Sequence, residues 1–317
     1  MINFKHSSIL LLVLHTLLSA ETSNICDTLL KTTNKAVSTE VIKLAQCYMS
    51  DNNYEEGIKW YMRTAKQGDE GSQNIVASMY YFGDGVEKDY GEAFSWFLKL
   101  AKKGNVEAQS KVGEMYYFGQ GVKKSFKNAF KWYTKAAQQD HLYSQNKIAR
   151  MYYFGEGVKR DYKVAFVRFE RLANIGYAEA ECKVAEMYYF GQSVKKDYRK
   201  AFKWFSRAAE QESVYAQSMI GNMYYMGEGI SQDYNEAFKW SLIAAKKDEA
   251  YSQCIVGDLY KVGQGVEQDN EKAYAWYLLA QANDMENAGE KLEVLESKMT
   301  QEELTHAKSY ELLEGDL

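Results

Sequence analysis

The stretch Ala108–Tyr143, AQSKVGEMYYFGQGVKKSFKNAFKWYTKAAQQDHLY, decides the fold because the rest of the chain repeats it. Shifted by 36 residues in either direction, the sequence aligns with itself without a gap. A fixed period of this size is typical of a solenoid of stacked repeats. The register is marked by a column of glycines and a column of alanines: Gly83, Gly119, Gly155, Gly191, Gly227 and Gly263, and Ala93, Ala129, Ala165, Ala201, Ala237 and Ala273.

Each unit has the pattern of two helices joined by a glycine loop. In the quoted unit, Val112, Met115 and Tyr116 have the spacing of one helix face, and Gly119 is suited to end that helix in a left-handed conformation. A good N-cap residue then precedes a second apolar run that includes Trp132. The six N-cap candidates are Asp89, Ser125, Asp161, Asp197, Asp233 and Asp269. Neighbouring units must cover the apolar faces of each helix pair.

These residues resemble the Sel1-like repeat family, which is related to the tetratricopeptide repeats. The family pattern, roughly A-x-x-x-L-G-x-x-Y-x-x-G-x-G-V-x-x-D-x-x-K-A-x-x-W-x-x-K-A-A, is nearly complete in the quoted unit, and the resemblance covers about residues 36–287. It implies an all-α fold, a right-handed α-solenoid. Ser193 replaces the second loop glycine and Arg168 replaces a tryptophan, which suggests local softening and no change of fold.

The repeats set the expected domain boundaries. Residues 21–71 form an N-terminal cap with a divergent, tetratricopeptide-like unit, and residues 288–317 form C-terminal capping helices. In that second cap, Thr300 and Glu303 have the spacing of a capping box. Between the caps lie six repeats: 72–107, 108–143, 144–179, 180–215, 216–251 and 252–287.

Residues 1–20 have the features of a secretory signal peptide. Lys5 precedes an apolar core over 9–18, which ends in the small residues Ser19 and Ala20. Such a core is too short for a membrane span, which needs ~20 apolar residues. No other stretch has the composition of a span. The sequence therefore predicts export to the periplasm or the medium, with a buried N-terminal helix as the alternative.

The four cysteines divide into two pairs. Cys182 and Cys254 occupy equivalent positions two repeats apart, too far for a disulfide, and are expected to be packed free thiols. Cys26 and Cys47 both fall in the N-terminal cap. In an oxidising compartment they would form a disulfide, and otherwise they would be two buried thiols.

Nothing in the sequence supports a catalytic, metal or cofactor site. His141 and His306 lie far apart on unrelated elements, so each is expected at the surface. The GDG, GQG and GEG loops follow no strand and precede no GK[ST], which argues against a phosphate-binding loop. The formal net charge of −4 argues against a nucleic-acid partner.

The candidate binding residues recur from repeat to repeat at positions where the family pattern is variable. The second tyrosine of the first helix recurs from repeat to repeat and forms a column. Variable charged residues lie on the same helix face as this column, and that face is expected on the concave surface. Aligned tyrosines suit protein contacts, although they could instead pack against the loop of their own repeat. The candidates are Tyr81, Tyr117, Tyr153, Tyr189 and Tyr225, with Lys111, Glu114, Lys147, Arg150, Lys183 and Glu186.

The loops of the three central repeats carry a basic edge. It could receive an acidic peptide, an anionic glycan or lipid head groups, or it could be an ordinary solvated surface. Its residues are Lys123, Lys124, Lys159, Arg160, Lys195 and Lys196.

Two functions are consistent with this sequence. The first is an exported, monomeric, non-catalytic scaffold that binds a partner protein or peptide on the concave face. The second, an enzyme, comes from the resemblance, because some secreted Sel1-like proteins carry a β-lactamase label. It would be β-lactam binding or weak hydrolysis, and no nucleophile–base pair in the sequence supports it.

Overall fold

The computed structural model describes residues 38–309 together with Cys26, Thr28 and Leu30. Throughout this part of the chain the fold is all-α, as predicted, with sixteen helices and no strand. None of these helices is both long and apolar enough to span a bilayer. The predicted signal peptide lies outside the described residues. The chain divides into two compact units, and the division falls between Arg160 and Asp161.

The helices follow one another in pairs. In the first unit they are α1 (Ser38–Ser50), α2 (Tyr54–Gln67), α3 (Glu70–Phe82), α4 (Tyr90–Lys102), α5 (Val106–Phe118), α6 (Phe126–Ala137) and α7 (Leu142–Phe154). In the second unit they are α8 (Tyr162–Asn174), α9 (Ala178–Phe190), α10 (Tyr198–Glu210), α11 (Val214–Met226), α12 (Tyr234–Ala245), α13 (Ala250–Val262), α14 (Asn270–Ala282), α15 (Ala288–Glu296) and α16 (Gln301–Ser309).

The loop within each repeat is fixed at both ends. Gly119 ends α5 with a φ of 77°, and its N–H donates to the Met115 carbonyl. Ser125 begins α6, accepting from the Asn128 N–H and donating its own N–H to the Tyr116 carbonyl at 2.8 Å. The side chains of the other predicted N-cap residues likewise accept a backbone N–H in the first turn of their helix.

The second loop glycine is required by a close approach between repeats. Gly121 has a φ of 66°, and a Cβ there would lie 1.9 Å from the Tyr90 carbonyl oxygen of the preceding repeat. Ser193 occupies the equivalent position with a φ of 66°. The serine thus adopts the left-handed conformation that glycine prefers, and the turn is kept.

In several repeats, one small residue of the first helix faces a large aromatic residue of the second. A Cβ at Gly113 would lie 2.9 Å from the Tyr133 ring, and one at Gly257 would lie 2.6 Å from the Tyr277 ring. In the first and fourth repeats the two positions hold an alanine and a phenylalanine, all buried: Ala77 and Phe97, and Ala185 and Phe205. In the fifth repeat they hold Gly221 and Ser241. In the first, second, fourth and sixth repeats a glycine thus accompanies the larger tyrosine and an alanine the smaller phenylalanine, whereas both residues are small in the fifth.

Both ends of the array are anchored. Cys26 and Cys47 form a disulfide, with their Cα atoms 5.7 Å apart. At the other end, Leu292, Leu295 and Ala307 are buried. The capping box is present, since the Thr300 N–H donates to the Glu303 carboxylate and the Glu303 N–H donates to the Thr300 hydroxyl.

Lys291 adds a polar anchor at this end. Its Nζ donates to Asp258, which also accepts the Tyr277 hydroxyl at 2.7 Å. Three consecutive elements, α13, α14 and α15, are joined in this way.

Candidate functional site

The predicted tyrosine column is half-buried and packs against the start of the second helix in its own repeat. The Tyr117 ring lies edge-on to Phe126, with the ring centres 5.0 Å apart. Tyr189 makes the same contact with Tyr198 at 4.9 Å. The equivalent contacts pair Tyr81 with Tyr90 and Tyr225 with Tyr234. The sequence had left this packing open as an alternative to binding, and the structure shows it.

The hydroxyls of this column link consecutive repeats. Tyr81 donates to Gln120 at 3.0 Å and Tyr117 donates to Glu156 at 2.7 Å. Burial, followed by this carboxylate, raises the pKa of Tyr117 to about 12. The donor and the acceptor are separated by 39 residues in both pairs, which is one repeat plus three. Sequence reasoning missed this link, although that constant offset would have revealed it.

Tyr189 makes the same link in the second unit, donating to Glu228. Burial and this carboxylate raise its pKa. Tyr153 is also half-buried, with its ring edge-on to Phe154 at 4.9 Å. The column is therefore part of the repeat packing, and only its outer edges are accessible.

The charged residues of the predicted stripe engage one another or nearby rings. Lys111 donates to Glu114 at 2.7 Å, and Lys183 donates to Glu186 at 2.6 Å. The Lys111 ammonium also lies 4.7 Å from the centre of the Tyr81 ring. In the third repeat, the Lys147 ammonium lies over Tyr143 and the Arg150 guanidinium over Phe154. We call these charged residues and the column tyrosines the first-helix surface.

All six residues of the predicted basic edge are exposed. The Lys124 ammonium lies 4.7 Å from the centre of the Phe126 ring, and that of Lys196 lies 4.4 Å from the Tyr198 ring. These lysines are thus held against the aromatic residue that begins the second helix of their repeat. The contact leaves the ammonium groups at the surface.

The structure adds a set of residues that the sequence analysis did not select. The last residue of each first helix is apolar yet exposed, because it follows the half-buried tyrosine and precedes the glycine that ends the helix. Its accessible fraction is about half or more in all six repeats. The residues are Phe82 (60%), Phe118 (54%), Phe154 (48%), Phe190 (59%), Met226 (59%) and Val262 (57%). Their recurrence every 36 residues was visible in the sequence, but helix periodicity alone did not distinguish them from core residues.

In the part of the chain that the structure describes, the cysteine and histidine side chains are the ones best suited to catalysis or metal binding, and each is either buried or in contact with a neighbouring residue. Cys182 and Cys254 are free and buried, and burial raises the pKa of Cys182 to about 11. His141, expected at the surface, instead caps α7 by accepting from the Ser144 N–H. His306 lies 2.5 Å from Glu271. Among the described residues, no group of three or more His, Cys, Asp or Glu is placed to hold a metal ion.

Comparison with known families identifies the repeats. The sequence profile of the Sel1 repeat matches seven segments: 43–69, 71–105, 106–141, 142–176, 178–213, 214–249 and 250–282. The first segment lies in the divergent N-terminal unit. No curated protein sequence matches the chain.

A solved structure agrees with this match. A Sel1 repeat protein from Oxalobacter formigenes is 30% identical, with a TM-score of 0.68 over 76% of this chain and 99% of that one. A protective antigen from uropathogenic Escherichia coli, which displays an SLR fold, is 23% identical, with a TM-score of 0.46 over 86% of this chain and 82% of that one.

Proposed function

The chain belongs to the Sel1 repeat family, and we propose that it is a non-catalytic scaffold that binds a segment of a partner protein. Proteins built from Sel1 and related tetratricopeptide repeats generally mediate protein–protein interactions, and the family is generally non-catalytic. The proposed binding region is the first-helix surface, expected to be concave, together with the four exposed phenylalanines that end first helices, Phe82, Phe118, Phe154 and Phe190. The basic edge would assist it.

One observation carries this proposal: an exposed phenylalanine ends the first helix in four consecutive repeats. Phe82, Phe118, Phe154 and Phe190 all lie outside the core. In the first, second and fourth repeats, the tyrosine that precedes the phenylalanine packs instead on the first residue of the second helix. Aromatic side chains bury a large area on contact and are enriched in binding hot spots. A repeated, accessible aromatic side chain is therefore suited to hold an extended partner at several points.

A photo-crosslinking experiment tests the proposal. The photoreactive residue p-benzoylphenylalanine would replace Phe118 in the full chain, expressed in the cells from which the sequence comes. The matched control places it at Val167, which is 64% exposed on a second helix. We expect a discrete protein adduct from position 118 and none from position 167. Equal labelling from both positions, or none from position 118, would contradict the proposal.

We also propose that the mature chain is a monomer exported to the periplasm or the medium. The disulfide between Cys26 and Cys47 supports export, because such bonds persist mainly in oxidising compartments. Thiol alkylation of the protein in intact cells tests this. Cys26 and Cys47 should resist alkylation until a reductant is added, and immediate alkylation of both would contradict export.

A further inference from the structure

We propose that the partner segment combines apolar side chains with aspartate or glutamate. Each of the first four repeats would offer it one exposed phenylalanine and one exposed cation. This inference rests on the proposed scaffold function and specifies the chemistry of its partner. The four phenylalanine–cation pairs are Phe82 and Lys88, Phe118 and Lys124, Phe154 and Arg160, and Phe190 and Lys196.

The two members of each pair change together along the chain. In the fifth repeat the phenylalanine becomes Met226 and the cation becomes Gln232. In the sixth they become Val262 and Gln268. Neither position is buried in any repeat, so packing does not impose this joint change. A ligand that contacts both side chains gives a direct reason for it.

The backbone places the two members side by side. The cation follows the phenylalanine by six residues, but the loop turns back on itself at the glycine between them. A Cβ added at Gly191, the residue after Phe190, would lie 3.2 Å from the Lys196 Cβ. The same distance is 3.3 Å in the first repeat, from Gly83 to Lys88. The cation therefore begins next to the end of the first helix.

A chain of ring contacts then connects the two members. Phe190 lies edge-on to Tyr189 at 4.9 Å, Tyr189 packs on Tyr198, and the Lys196 ammonium lies over Tyr198. The second repeat has the same chain of contacts through Phe118, Tyr117, Phe126 and Lys124. An ammonium held against a ring loses less freedom when it binds a carboxylate, so the pairs of the second and fourth repeats are partly preorganised.

The fourth repeat supplies more positive charge beside its pair. An open cleft of about 650 Å³ is lined by Lys195, Lys196, Arg199 and Lys200, with Tyr188 among its aromatic residues. Asp197 also lines it, but the carboxylate of Asp197 accepts the Lys200 N–H as the N-cap of α10. The cations outnumber this one carboxylate, so the cleft favours acidic side chains.

A peptide suits these pairs better than a nucleic acid. Asp84 and Glu156 each lie two residues after a phenylalanine of a pair. A nucleic-acid backbone carries a charge at every nucleotide and would meet these carboxylates repeatedly. A peptide can place its acidic residues opposite the cations alone. The chain as a whole is also acidic, with a formal net charge of −4.

Selection from a display library of random peptides tests the proposal with the full chain as the target. We expect the selected peptides to be enriched jointly in acidic and apolar residues. Two variants separate the contributions: F82S/F118S/F154S/F190S, and K88Q/K124Q/R160Q/K196Q, which copies the glutamine of the last two repeats. Each should weaken the best peptide by about tenfold or more, the effect of losing a hot-spot contact. The matched control, M226S/V262S, should bind as the wild type does.

Several outcomes would overturn the inference. Peptides with no joint enrichment, or peptides that bind both variants as tightly as the wild type, would contradict it. So would tight binding of an oligothymidylate probe that depends on the same phenylalanines and cations. Thermal unfolding of each variant separates lost binding from lost folding. If the crosslinked partner described above still binds both variants, the scaffold function stands and the proposed partner chemistry fails.

Discussion

The fourth and fifth repeats have the same backbone conformation, but their surface residues differ in charge. Their first helices end at Gly191 and Gly227, with φ angles of 72° and 69°. Their second helices begin at Asp197 and Asp233, with φ angles of −151° and −147°. At the surface, Lys195, Lys196, Arg199 and Lys200 correspond to Ser231, Gln232, Asn235 and Glu236.

The comparison shows that the positions that set the fold are separate from those that set the surface. The glycine that ends the first helix, the N-cap aspartate and most buried alanines are the same in both repeats, whereas the surface residues compared above change from basic to neutral or acidic. In such a scaffold, substitutions at the surface can change which partner is bound without changing the fold.

The core offers the largest expected effect. Phe205 is fully buried in the fourth repeat, and the equivalent residue in the fifth is the fully buried Ser241. Replacing Phe205 with serine should lower the free energy of unfolding by about 3–5 kcal/mol, because it leaves a cavity. The Ser241 hydroxyl has no hydrogen-bond partner, so Ser241→Ala should leave stability unchanged or raise it by about 1 kcal/mol, because it removes an unpaired buried hydroxyl. Urea unfolding of both variants measures this, and equal losses would contradict the packing described here.

The contact between the two helices of the fifth repeat gives the next largest expected effect on stability. Gly221 faces Ser241 so closely that a Cβ would lie 3.0 Å from the Ser241 backbone nitrogen. Gly221→Ala should therefore cost about 1–3 kcal/mol through overpacking. The reverse change, Ala185→Gly in the fourth repeat, should cost about 1 kcal/mol from helix propensity alone. If Gly221→Ala proved stabilising, the close approach would be disproved.

The second loop position distinguishes the two repeats by backbone strain. Ser193 has a φ of 66° and Gly229 has a φ of 79°. Ser193→Gly should raise the thermal midpoint slightly, since glycine adopts this conformation with less strain by about 1 kcal/mol. Gly229→Ser should lower it by more, because a Cβ there would lie 2.6 Å from the Tyr198 carbonyl carbon. Differential scanning calorimetry would detect both shifts, and a rise for Gly229→Ser would refute this reasoning.

A smaller difference between the two repeats is expected in how the ionisation of their column tyrosines affects stability at alkaline pH. Burial raises the pKa of Tyr189 and of Tyr225 above the ordinary value of 10.0, and for Tyr189 the Glu228 carboxylate adds to it. The folded state therefore favours the neutral phenols: their contribution is complete below pH 10 and falls as the pH rises toward the folded pKa. Tyr189→Phe should reduce this alkaline loss of stability more than Tyr225→Phe does. Equal pH profiles for the two variants would show that Glu228 is not a partner.

The sequence predicted well the features that recur with the repeat period. It did not predict the features that depend on a contact between repeats. Gly119, Asp197 and the helix boundaries recur at fixed positions, and their local conformation follows from residue type alone. The hydrogen bond from Tyr117 to Glu156 connects different positions of consecutive repeats, so aligning the repeats did not reveal it.

The accessibility of the candidate binding residues was predicted less well for a similar reason. Tyr117 and Phe118 are adjacent aromatic residues on one helix, and only the packing of the loop shows which of them is covered. The sequence favoured the tyrosine as the accessible residue, whereas the phenylalanine is the more exposed. The six basic-edge residues were simpler, because charged loop residues generally remain at the surface.

Transplanting one phenylalanine–cation pair tests most directly the claim that the surface can change while the frame stays constant. The variant M226F/Q232K would give the fifth repeat the pair of the fourth. Isothermal titration calorimetry with the best selected peptide, extended by one acidic and apolar segment, would measure its effect. We predict tighter binding than for the wild type, with an unchanged thermal unfolding curve. Unchanged affinity, or a shifted unfolding curve, would contradict the separation of frame and surface.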